Sequence, residues 1–104
     1  MIIVPSSTIA GKKIVKTLGL VKGNTIRARH IGKDILAGLK NLVGGEIEEY
    51  TKLMAEAREQ AIDRMIASAK EMGANAVVNV RFSTSYIMGM ASEILVYGTA
   101  VVVE

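Results

Sequence analysis

An apolar stripe from Tyr50 to Met72 constrains this chain more than any other feature. Tyr50, Leu53, Met54, Ala57, Ala61, Met65, Ile66, Ala69 and Met72 recur at spacings dominated by three and four. Glu48, Lys52, Glu56, Glu59, Asp63 and Lys70 occupy the other sides. That period predicts an amphipathic helix from about Glu46 to Met72. At about 1.5 Å per residue it is roughly 40 Å long. Gly73, just past the last apolar position, predicts its end. The small residues Ala57, Ala61 and Ala69 suit the helix to lie close against a sheet.

The strands for that sheet are legible on both sides of the helix. KKIVKTLGLV has Ile14, Leu18 and Leu20 on one face with Lys16 an exception, and TIRARHI sets Ile26 and Ala28 against Arg27 and Arg29. Lys22-Gly23-Asn24 between them reads as a turn, so the two runs predict an N-terminal hairpin. Ile35, Leu36, Leu39 and Val43 then predict a short helix, weakened by Gly38 and ended by Gly44-Gly45. After the long helix, ANAVVNVRF alternates Ala76, Val78, Val80 and Phe82 against Val77, Asn79, Arg81 and Ser83. STSYIMGMAS is less regular and holds the expected turn, and EILVYGTAVVV is apolar on both faces, as a strand covered on both sides should be. The expected fold is α+β: an antiparallel sheet, built from an N-terminal hairpin and a C-terminal strand pair, with one short and one long helix on one face.

Bulk composition bounds the rest. The 104 residues make one domain, 1–104. Half are hydrophobic but only four are aromatic, so Val, Ile, Leu, Met and Ala must form the core. A mean hydropathy of +0.33 is high for so short a chain and points to apolar surface shared between subunits. There is no cysteine, which removes disulfides, thiolate metal sites and a thiol nucleophile and fits a cytoplasmic protein. No signal peptide or membrane span is expected. Residues 1–45 carry a net +7 and residues 46–104 a net −4. Solvated strand faces or opposed subunit faces account for this polarity, and an anion or nucleic-acid surface is the alternative.

The candidate chemistries are thin. A soft metal needs thiolates or several imidazoles. The chain offers His30, the carboxylates Asp34, Glu46, Glu48 and Glu49, and thioethers such as Met88 and Met90. Six methionines in a chain this poor in large aromatics read more simply as core filler. The glycine pair before the long helix resembles a phosphate cradle, but Glu46, Glu48 and Glu49 stand at that helix start and repel phosphate. No P-loop follows it. Ser83, Thr84 and Ser85 have no neighbouring base. Lys12, Lys13, Lys16, Lys22, Arg27 and Arg29 could meet nucleic acid, yet that region holds no aromatic residue on which a base could stack. No catalytic constellation, cofactor or metal is expected.

GKKIVKTLGLVKGNTI, the LVGG pair, the Tyr50 to Ala57-Arg58 spacing, GANAVVNVRF and the closing YGTAVVVE together resemble the YbjQ-like family, over nearly the whole chain. That family carries a heavy-metal-binding label without an established activity. The resemblance implies a dodecin-like α+β subunit assembling into a ring, a pentamer being favoured, and directs attention to Asp34, Lys40, Gly44, Gly45, Tyr50, Arg58 and Asn75 as candidate ligand or subunit contacts. Asp34, Lys40 and Arg58 equally fit a structural ion-pair network, and Asn75 a tight turn after Gly73. Two departures stand out. Relatives often carry a basic residue where this chain has Glu46, and a glycine where it has Asn79. The function expected is a homo-oligomeric ring serving as a small-ligand binding or scaffold module. A metal-binding protein and a basic-faced nucleic-acid-binding protein are the alternatives.

Overall fold

A computed structural model describes residues 1–27, 45–87 and 91–104. In chain order these form β1 (Ile2–Ile3), β2 (Ile14–Arg27), α1 (Gly45–Glu71), β3 (Ala76–Ile87) and β4 (Ala91–Val103). The strands lie in the order β1-β3-β4-β2. β4 pairs antiparallel with both β2 and β3, whereas β1 runs parallel to β3. The sheet is therefore mixed, not antiparallel throughout, because the apolar start Ile2-Ile3 joins as an edge strand. The expected short helix, carried by Ile35, Leu36, Leu39 and Val43, lies outside the described residues.

The long helix is where its periodicity puts it. Ala57, Ala61, Met65 and Ala69 are fully buried against Val21, Val77, Ile94, Val96 and Ala100 of the sheet. Its C-terminus is a Schellman motif: the Ala74 N–H donates to the Ala69 carbonyl and the Gly73 N–H to Lys70, both at 3.0 Å. That geometry needs a left-handed residue, and Gly73 supplies it at φ 90°. Lys70 in the last turn complements the helix dipole.

The N-terminal hairpin does not form. β2 runs unbroken through Gly23 and Asn24, which pair with Val96 and Leu95 of β4. Gly23 is required there for close approach: a Cβ on it would meet the Ala61 carbonyl oxygen and the Met65 backbone nitrogen of α1. Turns and close backbone contacts both select glycine, and here the second demand operates. Register shifts near Lys16 and Thr17 also divide the supposed single face of Ile14, Leu18 and Leu20. Ile14 packs with the far-face cluster, Leu18 packs beneath the helix, and Leu20 is 70% exposed.

A bulge likewise changes the parity of β3. Val77 and Val80 both belong to the helix-side core, while Ala76 and Val78 belong to a second cluster on the far face. Two successive helix-side positions three residues apart require an extra residue between them. That residue is Asn79, at φ 55°, whose N–H donates to Ser6 at 2.9 Å. The far-face cluster comprises Ala76, Val78, Val101 and Val103, with Val4, Ile9 and Ile14 packed on it. The end of β4 is thus covered on both faces, by α1 and by the N-terminal segment. Farther along, no described residue packs over the far face.

Candidate functional site

α1 lies over β2 and β4 and barely reaches β3. The gap is an apolar cleft of about 300 Å³ lined by Ile3, Val4, Pro5, Ile62, Val80 and Phe82. Ile62 comes from the edge of the helix, Val80 and Phe82 from β3 beyond its bulge, and Ile3 to Pro5 from the β1 segment. Phe82 is 49% exposed although it shares the helix side of the sheet with Val80. The described lining holds no charged side chain, so this part of the cleft suits an apolar group. The stripe from Tyr50 to Met72 left Ile62 out. Its spacing of four from Arg58 and three from Met65 was the available signal.

The helix is tied to β2 by polar contacts along its opposite edge. Arg64 Nη1 donates to the Asn24 carbonyl at 2.6 Å; on the opposite face of the sheet Asn24 Nδ2 donates to Glu93 Oε2 at 3.2 Å, joining β2 to β4. Thr25, the buried polar side chain of the described core, donates its hydroxyl to the Ala57 carbonyl at 3.1 Å. The Arg64 and Thr25 contacts fix the position of α1 on β2.

The residues singled out from sequence do not converge. Asp34, Lys40 and Gly44 lie outside the described residues. Gly45 is the first residue of α1, consistent with a glycine break before the helix. The backbone of Tyr50 lies in the first turns of α1. Arg58 is exposed on the same helix edge as Ile62, one turn nearer the N-terminus. Asn75 has a well-defined structural task. Its Nδ2 donates to the Val103 carbonyl at 2.9 Å, and its Oδ1 accepts from the Val103 N–H at 2.8 Å. The side-chain amide thereby imitates a strand partner and joins the start of β3 to the end of β4.

The described donor set does not fit a heavy metal. Among the described residues no three His, Cys, Asp or Glu side chains come together. The whole chain has one histidine, His30, and no cysteine. His30, Met88 and Met90 all fall outside the described residues. Carboxylates alone favour hard cations over the soft ions that a heavy-metal site selects.

Comparison with known proteins agrees with the resemblance read from the motifs. A family model described as "Putative heavy-metal-binding" (YbjQ) matches residues 1–104. A UPF0145 protein of Dehalococcoides mccartyi is 66% identical over 104 residues, covering all of both chains. One from Methanosarcina acetivorans is 61% identical, covering 97% of this chain and 95% of its own. Among solved structures, a DUF74-family protein of unknown function from Pediococcus pentosaceus aligns with a TM-score of 0.66 at 15% identity. It covers the whole of this chain and 98% of its own, a likeness of fold alone. With an α+β architecture, a full-length model match and relatives of this identity, the chain belongs to the YbjQ-like UPF0145 family.

Proposed function

We propose that this protein is a cytoplasmic homo-oligomeric ring, a pentamer being favoured, that binds a small apolar ligand or serves as a scaffold. The observation that carries this reading is the open construction of the subunit. Its Cα radius of gyration is 16.9 Å, against about 13 Å for a compact chain of this length. Its accessible surface is 6723 Å², against about 5,700 Å² from the usual scaling with mass. Among the described residues no strand lies beyond β2, and β1 covers only the first part of the outer edge of β3.

A sheet with two open edges is an unfinished object. Edges left bare pair promiscuously, so proteins cover them. Pairing the β2 edge of one copy with the β3 edge of the next is a head-to-tail contact, which generates a closed ring when its rotation closes. The exposed Phe82 and the cleft beside it lie next to that β3 edge, where a neighbouring subunit would enclose them. Arg58, Tyr50 and Gly45, on α1, are contacts to inspect in such an assembly, together with Asp34, Lys40 and Gly44 just before it.

Native mass spectrometry of protein purified gently from its own cells tests both parts. The expected spectrum shows a single closed assembly, with any retained ligand as added mass. A monomeric spectrum at micromolar concentration overturns the ring. Phe82→Glu is expected to shift the assembly toward smaller species without unfolding the subunit, since the ring already meets solvent.

A further inference from the structure

We propose that the sheet face opposite α1 binds single-stranded nucleic acid, with Tyr97 as the stacking platform and Lys22 and Arg81 as phosphate contacts on either side. Sequence order had argued against nucleic acid because the basic N-terminal half contains no aromatic residue. The fold removes that objection by bringing one in from β4. Tyr97 pairs directly with Lys22 of β2 on one side and with Arg81 of β3 on the other. The three side chains form one row across three adjacent strands.

They all point away from the helix. Val21, Val96 and Val80, their immediate neighbours in sequence, are in the helix-side core. Lys22 and Arg81 are exposed, and Tyr97 is 37% exposed. With strands about 4.8 Å apart, the two cations flank the ring at roughly 5 Å of backbone separation each. Arg81 is anchored, because its Nη1 donates to the carbonyls of Pro5 at 2.7 Å and Val80 at 2.9 Å. Its remaining donors are left for a phosphate. Lys22 has no carboxylate partner among the described residues.

The chemistry of this row favours a polynucleotide strand over other occupants. An aromatic ring accepts any base by stacking, and a base within a strand has a phosphate on each side, matching cations on each side of the platform. A free nucleotide has phosphate on one side only. A second copy of this chain, docked face to face about a two-fold axis, would bring the Lys22 and Arg81 pairs of the two copies toward each other. The neighbouring rows supply Asn24 and Ser83 as hydrogen-bonding groups and Leu95 as apolar contact. Glu93, the acidic side chain two rows away, is engaged by Asn24.

Fluorescence anisotropy of a labelled oligothymidylate against the full-length protein tests the proposal, with thymidine monophosphate and inorganic polyphosphate as competitors. Wild type is expected to bind the oligonucleotide in a salt-sensitive manner, and the monophosphate should compete at least about tenfold more weakly. Tyr97→Ala should weaken binding about tenfold, while Tyr97→Phe, which keeps the ring, retains it. Lys22→Glu changes an exposed side chain, so it tests the site even if Tyr97→Ala disturbs the sheet. It should weaken binding and make the log–log salt slope shallower by at least about 0.7, the share of one phosphate. Absence of salt-sensitive binding overturns the proposal. So does binding that Tyr97→Ala and Lys22→Glu leave unchanged, or equal competition by the free monophosphate. Subunit count measured on the same samples separates these outcomes from any failure of the ring.

Discussion

Gly23 of β2 lies directly beneath Ala61 of α1, so close that a side chain on the glycine would strike helix backbone. This contact sets the distance between the two layers of the subunit. The obstructing atoms are the Ala61 carbonyl oxygen and the Met65 nitrogen, neither of which can rotate away. Gly23→Ala should therefore lift the helix and cost about 3 kcal/mol, the upper part of the range for overpacking. In thermal denaturation that is a fall of more than about 10 °C for a domain of this size. An unchanged midpoint would show that the layers are not in contact here.

Asn79 makes a different demand. It sits in the left-handed region at φ 55°, where asparagine is tolerated and glycine more so. Glycine at this position would satisfy the same backbone. Asn79→Gly is accordingly expected to leave stability within about 1 kcal/mol of wild type, whereas the β-branched Asn79→Val should lose about 2 kcal/mol. Urea denaturation of the pair decides the matter, and equal midpoints would contradict a left-handed residue at the bulge.

Asn75 is a structural residue by its contacts. Two hydrogen bonds to Val103 close the junction of β3 and β4. At about 1 kcal/mol net for each bond, Asn75→Ala should cost about 2 kcal/mol. Asn75→Asp keeps the acceptor, loses the donor and sets a carboxylate against the Val103 carbonyl, so it should be no better than alanine. Amide hydrogen exchange at Val103 gives the direct readout, with faster exchange expected in Asn75→Ala.

Arg58 makes no hydrogen bond or ion pair among the described residues and is exposed. Its replacement by alanine should change subunit stability by less than about 0.5 kcal/mol. If the ring places a neighbour or ligand against this helix edge, the same substitution weakens assembly or ligand retention in native mass spectrometry. A large loss of subunit stability would instead assign Arg58 to an intrasubunit network.

The donor inventory yields one more expectation. Exhaustive chelation should leave the thermal midpoint and subunit count unchanged, because no set of soft ligands is gathered among the described residues. Stoichiometric copper or zinc in natively purified protein, lost together with stability on chelation, would refute this.

Of the proposed sites, little was legible in advance. Lys22, Arg81 and Tyr97 are far apart in the chain, and only strand register makes them one row. The cleft was hidden for a similar reason, because it depends on the helix leaving β3 uncovered. Of the residues suggested by family motifs, Asn75 has a visible task, and that task is local to the strand junction.

What the sequence determined by itself is the set of elements whose patterns are local. The stripe from Leu53 to Ala69 dictates the long helix, because its period follows from backbone geometry within a few turns. Gly73 dictates where it stops, and the apolar runs after Ala76 dictate a pair of strands. Tertiary structure decided everything that depended on what lies across from a residue. Whether Gly23 turns the chain or admits a helix, whether Asn79 shifts the parity of β3, and which strands border Tyr97 are questions of register and layer spacing. Those are set by packing between segments distant in sequence, and no local pattern encodes them.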